Sequence, residues 1–169
     1  RGDIWFDHLD VEEDSCALLE GCILATGRRR LLRFSVATGN IGSEDYFVGP
    51  PDALGDAAVF SPCHEHFHYA DFANYALERD GRVVQRGHKQ AFCLMDTRPM
   101  NGVLADSIRP QARYICRYQG ISPGWEDVYG SELDCQWVDI TDLPEGDYEL
   151  VVRINPERTL KEARLDNND

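Results

Sequence analysis

The sequence predicts a mostly β chain: a sandwich-like, Greek-key single domain over residues 1–169, with long disulfide-tethered loops and little helix. Three observations carry that prediction. Short segments alternate apolar and polar residues with the period of two that half-buried strands require. Gly, Pro and Asp punctuate the chain between them, and no segment sustains the 3.6-residue periodicity of a long helix. Six cysteines, an even number, fit a framework that pins loops in place.

Taken in order, "LLRFSV" puts Leu32, Phe34 and Val36 on one face of a strand. "VGPPDALGD" (Val48 to Asp56) is too rich in Pro and Gly for regular pairing and reads as a loop. "YALERDGRVVQ" reads as a hairpin, because Asp80-Gly81 can supply the two positive φ angles of a type I′ turn. A second long loop runs from Asp96 to Gln111. "LPEGDY" then brings Tyr148 into a strand after a Pro/Gly turn, the pattern of a tyrosine corner. Beyond it, Tyr148, Leu150, Val152 and Ile154 alternate with Glu149, Arg153 and Asn155.

Composition narrows the function classes. At 43% hydrophobic and 28% charged residues, 169 residues suffice for one sizeable core. A formal charge of −13 opposes binding to nucleic acid, whose phosphates it would repel, and suits a cationic substrate or partner. No apolar run is long enough to span a membrane. No leader-like segment opens the sequence, the expectation for a mature or shortened chain. The cysteine usage points to an oxidising, secreted or extracytoplasmic setting. No CxxC pair occurs, which argues against a zinc ribbon.

The chemistry concentrates in "SPCHEHFHYADF" (Ser61 to Phe72), where His64, His66 and His68 occupy alternate positions. On a straight strand all three would share a side, but the outer Cα atoms would stand roughly 13 Å apart, at ~3.3 Å per residue. Metal–nitrogen bonds of about 2.0 Å cannot bridge that span at sensible angles. The segment is therefore expected to bend or bulge, with Pro62 ending any regular pairing ahead of it. Three imidazoles suit copper or zinc, and ligand type alone does not choose between them. His8 and His88 show no such pattern.

From Ala58 to Pro156 the chain resembles the catalytic domain of lysyl oxidases, as a compact non-animal member. The resemblance lies in "CHEHFHYADF", "GHKQAFCLMDT", "QGISPGWEDVYGSELDCQWVDITDLPEGDY" and "INPE", with weaker similarity at "CALLEGCILA" and "DNN". It implies that His64, His66 and His68 hold copper, with zinc an alternative occupant of isolated protein. It further implies that Lys89 in "GHKQAFC" and Tyr129 in "WEDVYG" join to form lysine tyrosylquinone. The implied activity is oxidative deamination of primary amines, lysine side chains of proteins included, to aldehydes. Dioxygen is the oxidant; hydrogen peroxide and ammonia are released.

The resemblance also implies the pairs Cys16–Cys63, Cys22–Cys135 and Cys93–Cys116, among about 15 arrangements that six cysteines allow. The second closes a loop of over a hundred residues, worth roughly 4 to 5 kcal/mol on a chain-entropy account. Departures from animal members are Ser61 and Asn74 in place of histidines, and Pro99 and Trp125 in place of two cysteines, as if one disulfide were missing. The general base is left open among Asp71, Asp127 and Asp134, with Asp134 preferred. Two other readings of the residues stand beside the oxidase: a three-histidine zinc hydrolase or hydratase, and a non-catalytic sandwich module stiffened by metal.

Overall fold

A computed structural model describes residues 4–69, 72–88, 92–101 and 111–168. In chain order the elements are β1 (Ile4–Val11), α1 (Cys16–Leu19), β2 (Gly27–Phe34), β3 (Val36–Gly39), β4 (Tyr46–Gly49), β5 (Ala58–Ser61), β6 (His66–Tyr69), β7 (Ala73–Arg79), β8 (Arg82–Arg86), β9 (Arg98–Pro99), β10 (Gln119–Ile121), β11 (Trp125–Tyr129), β12 (Trp137–Asp139) and β13 (Glu149–Ile154). The chain is mostly β, and among the described residues helix is confined to the single turn of α1 and two 3-10 turns, Pro51–Ala53 and Gly55–Ala57. Among the described residues the strands divide among five small sheets, ordered β1-β2-β12, β10-β4, β3-β11-β9, β13-β7-β8 and β5-β6.

The expected hairpin joins β7 to β8, with Asp80 at φ 52° and Gly81 at φ 70°. Strand β13 pairs antiparallel with β7, and Leu150, Val152 and Ile154 pack on the main core. Tyr148 forms the corner: its hydroxyl donates to the carbonyl of Pro144 at 2.7 Å while Arg79 lies over its ring. Asn155 departs from the solvent-facing role of its alternation. It is 2% exposed, has φ 47°, and uses its amide to bind Leu160 and Glu162 of the C-terminal tail. A short polar side chain tolerates this left-handed backbone and satisfies a chain reversal there.

The segment "LLRFSV" also differs from one continuous strand. Backbone pairing changes partners at Ser35, so Phe34 ends β2 against β1 while Val36 opens β3 against β11. Strand β2 is covered on both faces, with Leu31 at 0% exposure in a second core and Phe34 at 1% in the main one. Arg33 is buried on the second side, its guanidinium lying 4.5 Å from the Trp137 ring and bonded to Asp7. It also donates to the carbonyls of Ser131 and Leu133, which settles the chain just ahead of Asp134. A buried cation persists only with such partners.

Of the two expected loops, Val48 to Asp56 contains the end of β4 and most of the two 3-10 turns. The second is described only in part, because residues 102–110 lie outside the described residues. Its first part forms β9, and there Pro99 is the direct cross-strand partner of Trp125. Pro99 and Trp125, where the resemblance implies cysteines in animal members, thus face one another, at the separation where Cβ atoms stand about 5 Å apart. Replacing Tyr148 by Phe should lower stability by about 0.5–1.5 kcal/mol with an unchanged m-value, read by urea unfolding, because only the tie to Pro144 is removed.

Candidate functional site

The histidine segment is a hairpin. Strands β5 and β6 pair with Phe60 opposite Phe67 and Ser61 opposite His66, and residues 62–65 form the turn between them. Glu65 takes φ 56°, and its N–H donates to the carbonyl of Ser61 at 2.9 Å. This turn bends the segment and brings the three alternating histidines near one another. His64 sits in the turn, and His66 and His68 follow on one face of β6. Ring centroids are 4.5 Å apart for His66 and His68, 5.3 Å for His64 and His68, and 5.9 Å for His64 and His66. Phe60 and Phe67 occupy the opposite face, edge to face at 5.2 Å.

Ring-nitrogen contacts show which atoms are available. His66 Nδ1 lies 2.7 Å from the carbonyl oxygen of His64, an acceptor, so Nδ1 carries the proton and Nε2 the lone pair. That Nε2 faces His68 Nε2 at 2.8 Å. Two nitrogens bound to one ion at ~2.0 Å, at angles between right and tetrahedral, stand about 2.8–3.3 Å apart. The His66 and His68 nitrogens thus stand at a separation that two ligands of one copper or zinc ion take, whereas the three imidazoles are not among the described groups whose ligand atoms all lie within 4.8 Å of one another. One ring nitrogen of His66 also lies within 4.8 Å of both sulfurs of Cys93 and Cys116, but those sulfurs are joined in a disulfide and offer no thiolate.

Tyr129 ends β11, the central strand of its sheet, whose inward face carries Trp125, Asp127 and Tyr129. The Tyr129 hydroxyl accepts the backbone N–H of Cys93 at 2.7 Å, and its ring packs edge-on to Phe92. The residue next along this short stretch, Phe92, bridges to Tyr69 at the end of the histidine strand, accepting the Tyr69 N–H at 2.6 Å. Two adjacent residues thus connect the imidazole cluster to the phenol. Burial raises the Tyr129 pKa well above its ordinary value, and the neighbouring Asp127 carboxylate adds to the rise.

Three disulfides frame this region: Cys16–Cys63 at the turn, Cys22–Cys135 beyond β11, and Cys93–Cys116 behind the Phe92–Cys93 stretch. Lys89 and Asp71 lie outside the described residues. Asn74 is on β7 opposite Arg153, with its side-chain oxygen shielded from solvent. Asp127 is 1% exposed and accepts from Thr97 Oγ1 at 3.0 Å, whereas Asp134 is largely solvent-facing and approaches His64 Nε2 at 3.8 Å. Asp134 comes close because Cys22–Cys135 and the Arg33 bonds hold its neighbours.

Sequence reading missed Glu20. It lies over forty residues before the histidines, at the end of α1, yet its carboxylate accepts from Ser61 Oγ and reaches 3.8 Å from His64 Nδ1. The one available signal was the pair of cysteines flanking it in "CALLEGC". A cavity of about 390 Å³ lies elsewhere, between the 38–46 segment and the C-terminal tail, and includes none of the motif residues.

The raised Tyr129 pKa has a definite sign for stability. The folded protein holds the phenolic proton to higher pH than the unfolded chain, so stability falls as pH rises from about 10 through the folded value. Metal-free wild type should lose stability above that pH more steeply than Tyr129→Phe, measured by denaturant unfolding across the alkaline range. Equal slopes would contradict the burial of this phenol.

The lysyl oxidase family matches residues 11–169. Lysyl oxidase homolog 2 of Homo sapiens is 39% identical over 166 residues, covering 90% of this chain and 20% of the human protein. Lysyl oxidase homolog 2A of Danio rerio is 38% identical over 165 residues, and lysyl oxidase homolog 4 of Mus musculus 38% over 166, each covering 90% of this chain and 21% of the relative. The chain thus spans about a fifth of the length of the curated relatives it matches. With that match across nearly all its length, the chain belongs to the lysyl oxidase family.

Proposed function

We propose that residues 1–169 act as one catalytic unit for copper- and quinone-dependent oxidative deamination of primary amines, either peptidyl lysine or small alkylamines. The products are an aldehyde, hydrogen peroxide and ammonia, with dioxygen as oxidant. His64, His66 and His68 would hold the copper, and Lys89 and Tyr129 would form the lysine tyrosylquinone. When bound, these groups supply the redox chemistry and the electron sink.

The observation that carries this reading is the Phe92–Cys93 link, which ties the histidine strand on one side and the Tyr129 hydroxyl on the other. Surface histidines and a structural tyrosine have no need to share one rigid connection. The remaining contributions are those of the chain itself. Phe92 packs against the Tyr129 ring and restricts its orientation, and the enclosing core keeps bulk water from the phenol. Burial favours a neutral phenol, and the charge of a metal ion held close by would offset that preference. Asp134 presents an exposed carboxylate beside His64, and the chain carries a formal charge of −13, which attract an arriving ammonium group. The three disulfides suit a secreted or extracytoplasmic protein. No described helix is long and apolar enough to cross a membrane.

Protein matured with copper and air should release peroxide with alkylamines and be blocked by hydrazines; Tyr129→Phe and His66→Ala should both fall to background. In the active wild type, peptide mass mapping should recover Lys89 and Tyr129 in one crosslinked species. Active protein whose Lys89 and Tyr129 appear only in separate, unmodified peptides would defeat the reading. Ester or bicarbonate turnover without oxygen uptake would replace it with zinc hydrolysis or hydration.

A further inference from the structure

The His66 ring is oriented by its own backbone: Nδ1–H donates to the His64 carbonyl, leaving Nε2 to face inward. His64 lies in the turn, and no comparable backbone bond to its ring is seen among the described residues. What faces its Nδ1 is Glu20 Oε2, at 3.8 Å. That oxygen is shut off from solvent and has no hydrogen-bond partner among the described residues, although the other oxygen of the same carboxylate is bonded to Ser61. A shielded acceptor oxygen without a donor is a costly arrangement unless a donor is meant to arrive.

The surroundings hold Glu20 in that position. It closes α1, with its N–H bonded to the Cys16 carbonyl, and the Cys16–Cys63 disulfide fastens α1 to the residue preceding His64. Ser61 is 5% exposed and works in both directions, donating its hydroxyl to Glu20 while accepting the backbone N–H of His64 at 3.0 Å. Glu20, Ser61 and the His64 backbone are therefore one connected unit. Closing the gap between Oε2 and Nδ1 from 3.8 Å to the ~2.8 Å of a charge-assisted bond requires about 1 Å of movement by the His64 ring.

We propose that Glu20 is the positioning residue of the metal site: its carboxylate accepts the Nδ1–H of His64, fixing the ring in the tautomer whose Nε2 binds the ion. All three imidazoles then coordinate through Nε2. In His66 the orienting acceptor is a backbone carbonyl; in His64 it is Glu20, held in place by Ser61. Carboxylates that accept from a metal-bound imidazole raise its basicity and set its orientation, and losing one costs roughly 10–100-fold in metal affinity. Glu20 itself is not a ligand in this arrangement, since its near oxygen addresses the nitrogen facing away from the ion. The inference rests on the metal reading above.

The test uses chelator-stripped protein and two metals. Copper(II) affinity is measured by competition against a chromophoric chelator for wild type, Glu20→Gln, Glu20→Ala and His64→Ala. In zinc-loaded, ¹⁵N-histidine-labelled protein, NMR reads which ring nitrogen of His64 is protonated and which is bound. Wild type should show His64 bound through Nε2 with Nδ1 protonated. Glu20→Ala should weaken copper about 10–100-fold and lose the single-tautomer pattern. The near-isosteric Glu20→Gln, chosen to preserve the fold, should weaken it less and should unfold thermally like wild type when metal-free. Copper affinity within twofold of wild type for both Glu20 variants, while His64→Ala is impaired, overturns this assignment alone, as does His64 binding through Nδ1. Wild type that binds no copper overturns the metal reading and this inference together.

Discussion

One peptide group, that between Phe92 and Cys93, carries the architecture of the site. The carbonyl of Phe92 accepts from Tyr69, at the end of the strand that bears His66 and His68. The N–H of Cys93 donates to the hydroxyl of Tyr129 on the opposite side. Both bonds are short and enclosed by the main core, where loss of a partner leaves a polar group stranded away from water. The Cys93–Cys116 disulfide anchors the same stretch from behind. Consequently the phenol and the histidine strand cannot drift independently.

Polar groups inside this protein are used as fasteners rather than avoided. Asp96, 8% exposed, accepts from the backbone N–H groups of Arg113, Tyr114 and Ser122 and from the Ser122 hydroxyl, joining the chain after Cys93 to the segments on either side of β10. Arg33 does the same for the approach to Cys135, and Gln136 accepts from the Tyr75 hydroxyl. Five small sheets lack the continuous ladders of a large sandwich. Side-chain bonds and disulfides between them supply the rigidity that long pairing would otherwise provide.

Several positions singled out in the sequence become intelligible in the same terms. Ser61 has a small hydroxyl that reaches both the Glu20 carboxylate and the His64 backbone. Pro99 and Trp125 face one another on β9 and β11, and the buried indole contributes apolar packing to the main core.

Local patterns alone determined a good deal. Period-two alternation identified β13, Asp80-Gly81 identified the β7–β8 hairpin, and the Pro/Gly approach to Tyr148 identified the corner, because each depends on residues within one turn or strand. The histidine spacing also pointed to a bend in that segment, which the turn at residues 62–65 supplies. Tertiary structure decided what no local pattern encodes. Leu31 and Arg33 are covered by a second core, Asn155 turns inward to hold the tail, and Glu20 meets His64 from over forty residues away. Contacts of that kind depend on which surfaces the folded chain brings together, and six cysteines or three histidines on the page specify their chemistry but not their neighbours.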